Sequence, residues 1–155
     1  MIKRGFTILM VVFFTLFLSV VFNKSSIPFL ESSVQKVFDN TVVRVAGKEI
    51  KVELADTEEK RTKGLGGIKK LQENSGMLFI FEIPAEYHFW MKDMRFPLDI
   101  IWIGENKKIV AISENIFPET YPASFSPSEP VKYVLEVNAG WTNKNGVRVG
   151  EFIEL

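Results

Sequence analysis

Two acidic side chains are the first candidates for chemistry in this sequence, namely Asp99, which has apolar neighbours, and Glu136, which we expect to be exposed or to line a groove. Asp99 stands within the apolar run 98–103, where an unpaired carboxylate would be costly to bury. Asp99 then needs a cationic or hydrogen-bonding partner, and Arg61 or Arg95 could serve. An internal ion pair or a turn-capping role beside Pro97 is favoured over a carboxylate that faces a ligand. Because glycoside hydrolysis needs two carboxyl groups about 5–9.5 Å apart, Asp99 and Glu136 are also a candidate catalytic pair.

Other side chains in this sequence could bind a ligand rather than transform one. Arg61 can hold a carboxylate or a phosphate through two parallel hydrogen bonds. Trp90, close to Lys92, offers an aromatic face to a sugar or a peptide, although large aromatic residues in a small β domain often belong to the core. We expect Arg61, Trp90 and Lys92 to line one groove together with Asp99 and Glu136.

A further hypothesis concerns metal binding at His88, Met91 and Met94. Thioether sulfur and imidazole nitrogen are ligands that suit Cu(I). On a β-strand, however, His88 and Met94 lie on one face and Met91 on the other, so the three ligands would not converge. Packing in the core explains the methionines better, and we expect neither a metal nor another cofactor.

The composition excludes several classes of protein. The chain of 155 residues has 19 basic and 19 acidic side chains, and therefore no net charge with which to attract nucleic acid. It has no cysteine, which excludes disulfides, thiolate metal sites and thiol nucleophiles. A hydrophobic content of 46% fits one globular domain with an additional apolar segment.

That apolar segment is residues 5–22, which follow Lys3 and Arg4. The few polar side chains within it are small. A helix of this length would reach about 27 Å, close to the hydrocarbon thickness of a membrane. The positive-inside rule keeps the two basic residues in the cytoplasm and places the rest of the chain outside. A single-pass anchor in the cell membrane is favoured over a cleaved signal peptide, whose apolar region is usually shorter and whose cleavage would give a secreted protein.

The sequence therefore divides into three parts. Residues 1–24 are the anchor or signal, residues 25–40 are a spacer, and residues 41–155 are a single β-rich extracytoplasmic domain. In this domain the apolar alternation on both sides of Gly47 predicts a β-hairpin. Thr57 and the acidic residues after it predict a short helix that ends at the glycines beginning with Gly64.

Further strands are predicted by short apolar runs between prolines and turn residues. They are Met77–Glu82, Tyr87–Met91, Leu98–Ile103, Lys108–Glu114, Lys132–Asn138 and Val147–Ile153. About eight short strands with one or two short helices favour a mainly β fold, a compact antiparallel β-sandwich or barrel-like domain preceded by the transmembrane helix.

Seven separated pieces of this sequence follow one another in a recognisable order. They are Arg61-x-x-Gly64-Leu65, Gly76-Met77-Leu78-Phe79-x-Phe81, Phe89-Trp90-Met91-Lys92, Pro97-Leu98-Asp99-Ile100-Ile101, Ile109-Val110, Tyr133-Val134-Leu135-Glu136-Val137 and Ala139-Gly140. Over roughly residues 42–155 their order and spacing resemble the bacterial and archaeal domain of unknown function 192 family. The resemblance implies a compact, mostly β domain behind a secretion signal or anchor, and it implies no particular reaction.

The sequence departs from that family pattern at three places. Asp93-Met94 stands where Asn-Thr is usual, Gly66 where Met often follows Gly-Leu, and Gly150-Glu151 where Gly-Asp is usual. Any function that depends on the usual Asn or Thr is therefore in doubt for this chain.

We therefore expect a membrane-tethered extracytoplasmic domain that binds a polar ligand, such as an envelope glycan or a peptide, or another protein of the cell envelope. A non-enzymatic role is favoured. The first alternative is a hydrolase that acts on an envelope glycan or other polar substrate through Asp99 and Glu136. The second is a copper-binding envelope module that uses His88 and Met91.

Overall fold

The computed structural model of the protein describes residues 41–155, so the predicted anchor and spacer, residues 1–24 and 25–40, lie outside it. The strands are β1 (Thr41–Val45), β2 (Lys48–Ala55), β3 (Ser75–Ala85), β4 (Phe89–Trp90), β5 (Leu98–Ile103), β6 (Ile109–Ile116), β7 (Ser124–Phe125) and β8 (Val131–Asn138). The helices are α1 (Glu58–Lys63) and α2 (Trp141–Asn145), and one 3-10 turn covers Pro118–Thr120. Within this part of the chain, no helix is long and apolar enough to cross a membrane.

The predicted hairpin and the predicted first helix are both present. Ala46 and Gly47, with φ values of 49° and 71°, form the two-residue turn between β1 and β2, and this turn type needs positive φ at both positions. The side chain of Thr57 accepts a hydrogen bond of 3.3 Å from the backbone N–H of Lys60 and so caps α1. The helix ends at Gly64, whose φ of 51° favours glycine.

The main sheet has six strands in the order β1-β2-β3-β8-β5-β6. The mainly β class is confirmed, but the expectation of a purely antiparallel sheet is wrong at one place, because β2 and β3 pair in parallel. Parallel neighbours need a crossover connection, and the segment that contains α1 provides it. Strands β4 and β7 form a separate two-stranded sheet.

The C-terminal segment pairs with both ends of the main sheet but does not form the predicted strand 147–153. Glu154 makes an isolated bridge with Arg44 of the edge strand β1. Phe152 makes another with Lys108, the residue before the opposite edge strand β6. The segment therefore covers edges that would otherwise expose unpaired backbone groups.

Apolar side chains are buried on both faces of the main sheet. One cluster includes Leu78, Ile101 and Leu135, and the other includes Phe79 and Trp102. The strands β3 and β8 approach closely at Gly76, where an added Cβ atom would lie 2.5 Å from the carbonyl oxygen of Glu136. Only glycine fits there without movement of the backbone.

Candidate functional site

A cavity of about 910 Å³ opens beside α1 and is lined by three parts of the chain. The first is α1 with the glycine-rich turn after it, the second is the stretch from β3 to Arg95, and the third is Glu136 of β8. We call Leu65, Phe79, Phe89 and Glu136 its inner wall, because these are its buried lining residues. A cavity of this size can hold a small molecule.

Backbone hydrogen bonds hold the two sides of the opening together. The N–H of Gly67 in the glycine-rich turn donates to the carbonyl oxygen of Asp93 across a distance of 3.0 Å. On the other side, the N–H of Met94 donates to the carbonyl oxygen of Met91 at 3.3 Å, which closes a turn. The rim is therefore built on a defined backbone.

Arg61 forms part of the cavity lining, and its guanidinium group is fixed in place. Its Nη1 donates to the carbonyl oxygens of Asp56 at 2.9 Å and Ile80 at 3.0 Å. The guanidinium carbon lies 5.3 Å from the centre of the Phe81 ring, which stacks on Tyr87. A donor group held in this way loses little conformational freedom when it binds an anion.

Glu136 is the buried polar residue of the inner wall. Its side chain shares a face of β8 with Val134, and its strand neighbours are Met77 and Ile100. The residue is only 6% exposed, and within residues 41–155 its carboxyl group has no hydrogen bond and no ion pair. Burial raises the pKa of Glu136 to about 8. The carboxyl group is therefore mostly protonated at neutral pH.

Asp99 is fully buried in a different place, on the opposite face of the sheet. Its Oδ1 accepts from the backbone N–H groups of Asn115 at 2.9 Å and Gly140 at 3.1 Å. Its Oδ2 accepts from the N–H of Thr142 at 3.0 Å and from the hydroxyl of Thr142 at 2.6 Å. Asp99 therefore has an internal structural role, but its partners are backbone donors and one hydroxyl, and the possible pairing with Arg61 or Arg95 is not present.

The two carboxyl groups cannot act as a catalytic pair on one bond. Asp99 pairs with Val137 across the β5–β8 ladder, whereas Glu136 pairs with Ile100, so their side chains leave opposite faces. Hydrolysis by this pair would require them to face each other. The geometry therefore contradicts the hydrolase hypothesis in the form that uses Asp99 and Glu136.

The candidate copper ligands are also divided. His88 and Met94 line the cavity, whereas Met91 is 2% exposed and packs in the core cluster of Phe79 and Trp102. This separation agrees with the alternation of side chains along a strand, which argued against a common site for the three ligands. The arrangement does not bring the three side chains together as a ligand set.

Four of the five residues expected to line a groove do lie around the cavity, namely Arg61, Trp90, Lys92 and Glu136. Trp90 is 55% exposed, so its ring is at the rim and not in the core. Sequence reasoning missed several lining residues, of which the most relevant are Lys63 and Asp93. Their closeness depends on the contact between the glycine-rich turn and the loop after β4, which strand periodicity does not reveal.

These features define a small, mainly β domain with a mixed sheet and an open cavity beside its crossover helix. The chain belongs to the DUF192 family, described as "Uncharacterized ACR, COG1430", which matches residues 41–155. The resemblance noted in the sequence is thereby confirmed.

Solved structures similar to this chain include two from bacteria. One, from Sinorhizobium meliloti 1021, is called "a putative transcription regulator"; it is 36% identical, with a TM-score of 0.69, over 73% of this chain and 91% of that one. The other is a protein of unknown function from Novosphingobium aromaticivorans DSM 12444; it is 30% identical, with a TM-score of 0.71, over 74% of this chain and 84% of that one. The comparison with curated proteins gave no match.

Asp99→Asn should lower the free energy of unfolding by about 3 kcal/mol or more, because the amide presents donors to groups that are themselves donors. Chemical denaturation of the full-length chain in detergent would measure this change. Asp93→Asn, at an exposed position, is the matched control and should stay within about 0.5 kcal/mol of the wild type. An equally small loss for Asp99→Asn would contradict the structural role of its carboxylate.

Glu136→Gln should remove a pH dependence of stability. The folded chain holds the Glu136 proton up to about pH 8, whereas the unfolded chain releases it near the ordinary pKa of 4.5. Between these values the wild type should lose about 1.4 kcal/mol of unfolding free energy per pH unit relative to the variant. The stabilisation is complete below pH 4.5 and is lost as the pH rises through about 8.

Denaturation of both chains at pH 5, 7 and 9 would check this difference. The exposed Glu82→Gln is the matched control and should follow the wild type across the series. Parallel pH profiles of the wild type and Glu136→Gln would contradict the assignment of a buried, unpaired carboxyl group.

Proposed function

We propose that this protein is a membrane-tethered, extracytoplasmic domain that binds a small polar ligand in the cavity beside α1. The observation that carries the proposal is the side chain of Glu136 at the inner wall, whose carboxyl group has no protein partner in the described part of the chain and whose oxygen atoms are open to the cavity. Because no residue of the described chain bonds this carboxyl group, its hydrogen bonds must come from molecules in the cavity. A ligand with polar groups can replace cavity water there.

The rim of the cavity supports the same proposal. Arg61 is held by two backbone carbonyl groups and an aromatic ring before any ligand arrives. Trp90 presents an exposed aromatic face beside Lys92, which lines the same cavity. Perturbed titratable groups within a cavity are typical of functional sites, and here they occur with polar and aromatic groups that suit recognition.

The relative from Sinorhizobium meliloti raises the question of a role in transcription. A net positive charge would favour direct binding of DNA, whereas this chain has 19 basic and 19 acidic side chains. The cavity therefore supports a small-molecule ligand better than a nucleic-acid interface.

The tethered location is proposed from the sequence of residues 1–24. Their apolar run is long enough for one membrane crossing, and Lys3 and Arg4 precede it. The domain 41–155 would then lie outside the cytoplasm, where envelope glycans, peptides and secreted metabolites are available as ligands.

Binding can be tested by thermal denaturation of the full-length chain in detergent. The compounds are glucose, glucuronate, glucose 6-phosphate, alanine and dialanine, each at about 10 mM, which is on the order of the Kd of a weak ligand. At least one compound should raise the Tm of the wild type and fail to do so for Glu136→Leu. Glu82→Leu should keep the response, since that exposed residue lies outside the cavity lining. The absence of any shift in the wild type would contradict the proposal for these classes of ligand.

The location can be tested by cysteine labelling, because the natural chain contains no cysteine. Lys48→Cys, at an exposed residue of the β1–β2 hairpin, should react with a membrane-impermeant maleimide in intact spheroplasts. Ile2→Cys should react only after the membrane is opened, and the natural chain should not react at all. Reaction of Lys48→Cys only after lysis would place the domain in the cytoplasm and contradict the proposal.

A further inference from the structure

The charged side chains around the cavity are mostly cations. Elsewhere among the described residues some cations have acidic partners, as in the pairs Arg44–Glu49, Lys60–Asp56, Lys132–Glu105 and Lys144–Glu73, and others, such as Lys48, have none. In the cavity lining, Lys63, Lys92 and Arg95 have neither an ion pair nor a side-chain hydrogen bond within residues 41–155. Unpaired cations around one opening attract an anion.

Arg61 adds a fourth cation that is already oriented. Its Nη1 is used by the two backbone carbonyl groups, and within the described residues its Nε and Nη2 atoms have no partner. The exposed acidic residues of the lining are Glu58 and Asp93, so positive charge is in excess around the opening. A carboxylate or a phosphate can accept two hydrogen bonds from a guanidinium group in this state.

The inner wall has a different character from the rim. Burial keeps the Glu136 carboxyl group mostly neutral, with a pKa of about 8. A neutral carboxyl group both donates and accepts hydrogen bonds, and so does a hydroxyl group. A ligand ammonium group placed on Glu136 would require the carboxyl group to lose its proton in apolar surroundings. A ligand anion placed on Glu136 would find no cation beside it.

We infer that the ligand of this cavity is a small anion that also carries hydroxyl groups, with its anionic group among the cations of the rim and a hydroxyl group on Glu136. Carboxylated sugars and phosphorylated sugars both have this chemistry. The rings of Trp90 and Tyr87, both in the lining, provide apolar faces for the ring of such a ligand. The inference rests on the proposed function and adds the chemical class of the ligand.

Isothermal titration calorimetry of the full-length chain in detergent tests the class with five probes, namely glucuronate, glucose 6-phosphate, glucose, inorganic phosphate and alanine. Glucuronate, glucose 6-phosphate or both should bind at least about tenfold more tightly than glucose, inorganic phosphate and alanine, since only they satisfy rim and inner wall together. Binding of one acidic sugar alone assigns the anionic group as carboxylate or phosphate.

Two variants test the rim. Lys92→Ala and Arg95→Ala should each weaken binding of the acidic sugar by about 3–10-fold, as expected for partly exposed charge-assisted contacts. Lys48→Ala, at an exposed lysine that is not part of the cavity lining, is the control and should bind like the wild type. Equal affinities of all four chains would overturn the assignment of the anion to the rim.

A matched pair of variants tests the inner wall. Glu136→Gln keeps a donor and an acceptor and should hold the acidic sugar within about threefold of the wild type, whereas Glu136→Leu removes both and should weaken binding at least about tenfold. If the ligand instead placed an ammonium group on Glu136, the Gln variant would lose binding as fully as the Leu variant.

The outcomes separate the class of ligand from the function of the cavity. Tightest binding of alanine or glucose, lost in Glu136→Leu, would overturn the inferred class and leave the binding function standing. Inorganic phosphate as tight as glucose 6-phosphate would overturn the role of the hydroxyl groups. Binding of none of the five probes would overturn both the inferred class and the proposed function for these ligands.

Discussion

The buried carboxylate of Asp99 joins parts of the domain that are far apart in the sequence. From β5 it accepts hydrogen bonds from Asn115 in β6, from Gly140 in the turn after β8, and from Thr142 in α2. An anion with several hydrogen bonds from backbone N–H groups is stable inside a protein. This one interaction therefore fixes the β6–β5–β8 half of the sheet, and β8 in turn carries Glu136 to the cavity.

The other half of the site depends on the crossover between β2 and β3. Since these two strands are parallel, the chain must return across the sheet before β3 begins, and α1 lies on that return. The crossover brings Arg61 beside Ile80 of β3 and places the glycine-rich turn against the loop at Asp93. The cavity is thus formed where a helical connection meets an otherwise antiparallel arrangement.

Much of the secondary structure could be predicted because it follows from local patterns. Alternation marked β5 and the β1–β2 hairpin, and Thr57 with Gly64 marked the ends of α1. The pairing of strands is a long-range property, so the parallel β2–β3 contact had no local signal. Helix α2 was missed for a related reason, because its start is capped by Asp99 from another strand and not by a neighbouring residue.

For the site, residue type identified Arg61, Trp90, Lys92 and Glu136, but only the fold could separate Asp99 from them.

Asp99 and Glu136 show how one functional group, the carboxyl group, has two roles because the two side chains leave opposite faces of the sheet. Both are buried on neighbouring strands, but the face of Asp99 meets backbone donors, and the face of Glu136 meets apolar residues and the cavity. Hydrogen bonds within the domain offset the cost of burying the Asp99 carboxylate. The Glu136 carboxyl group has no protein partner within residues 41–155, and its oxygen atoms are open to the cavity. Met77 and Ile100 beside it show that an apolar side chain would suit the position, so packing within residues 41–155 does not require a carboxyl group there, whereas the proposed ligand site does.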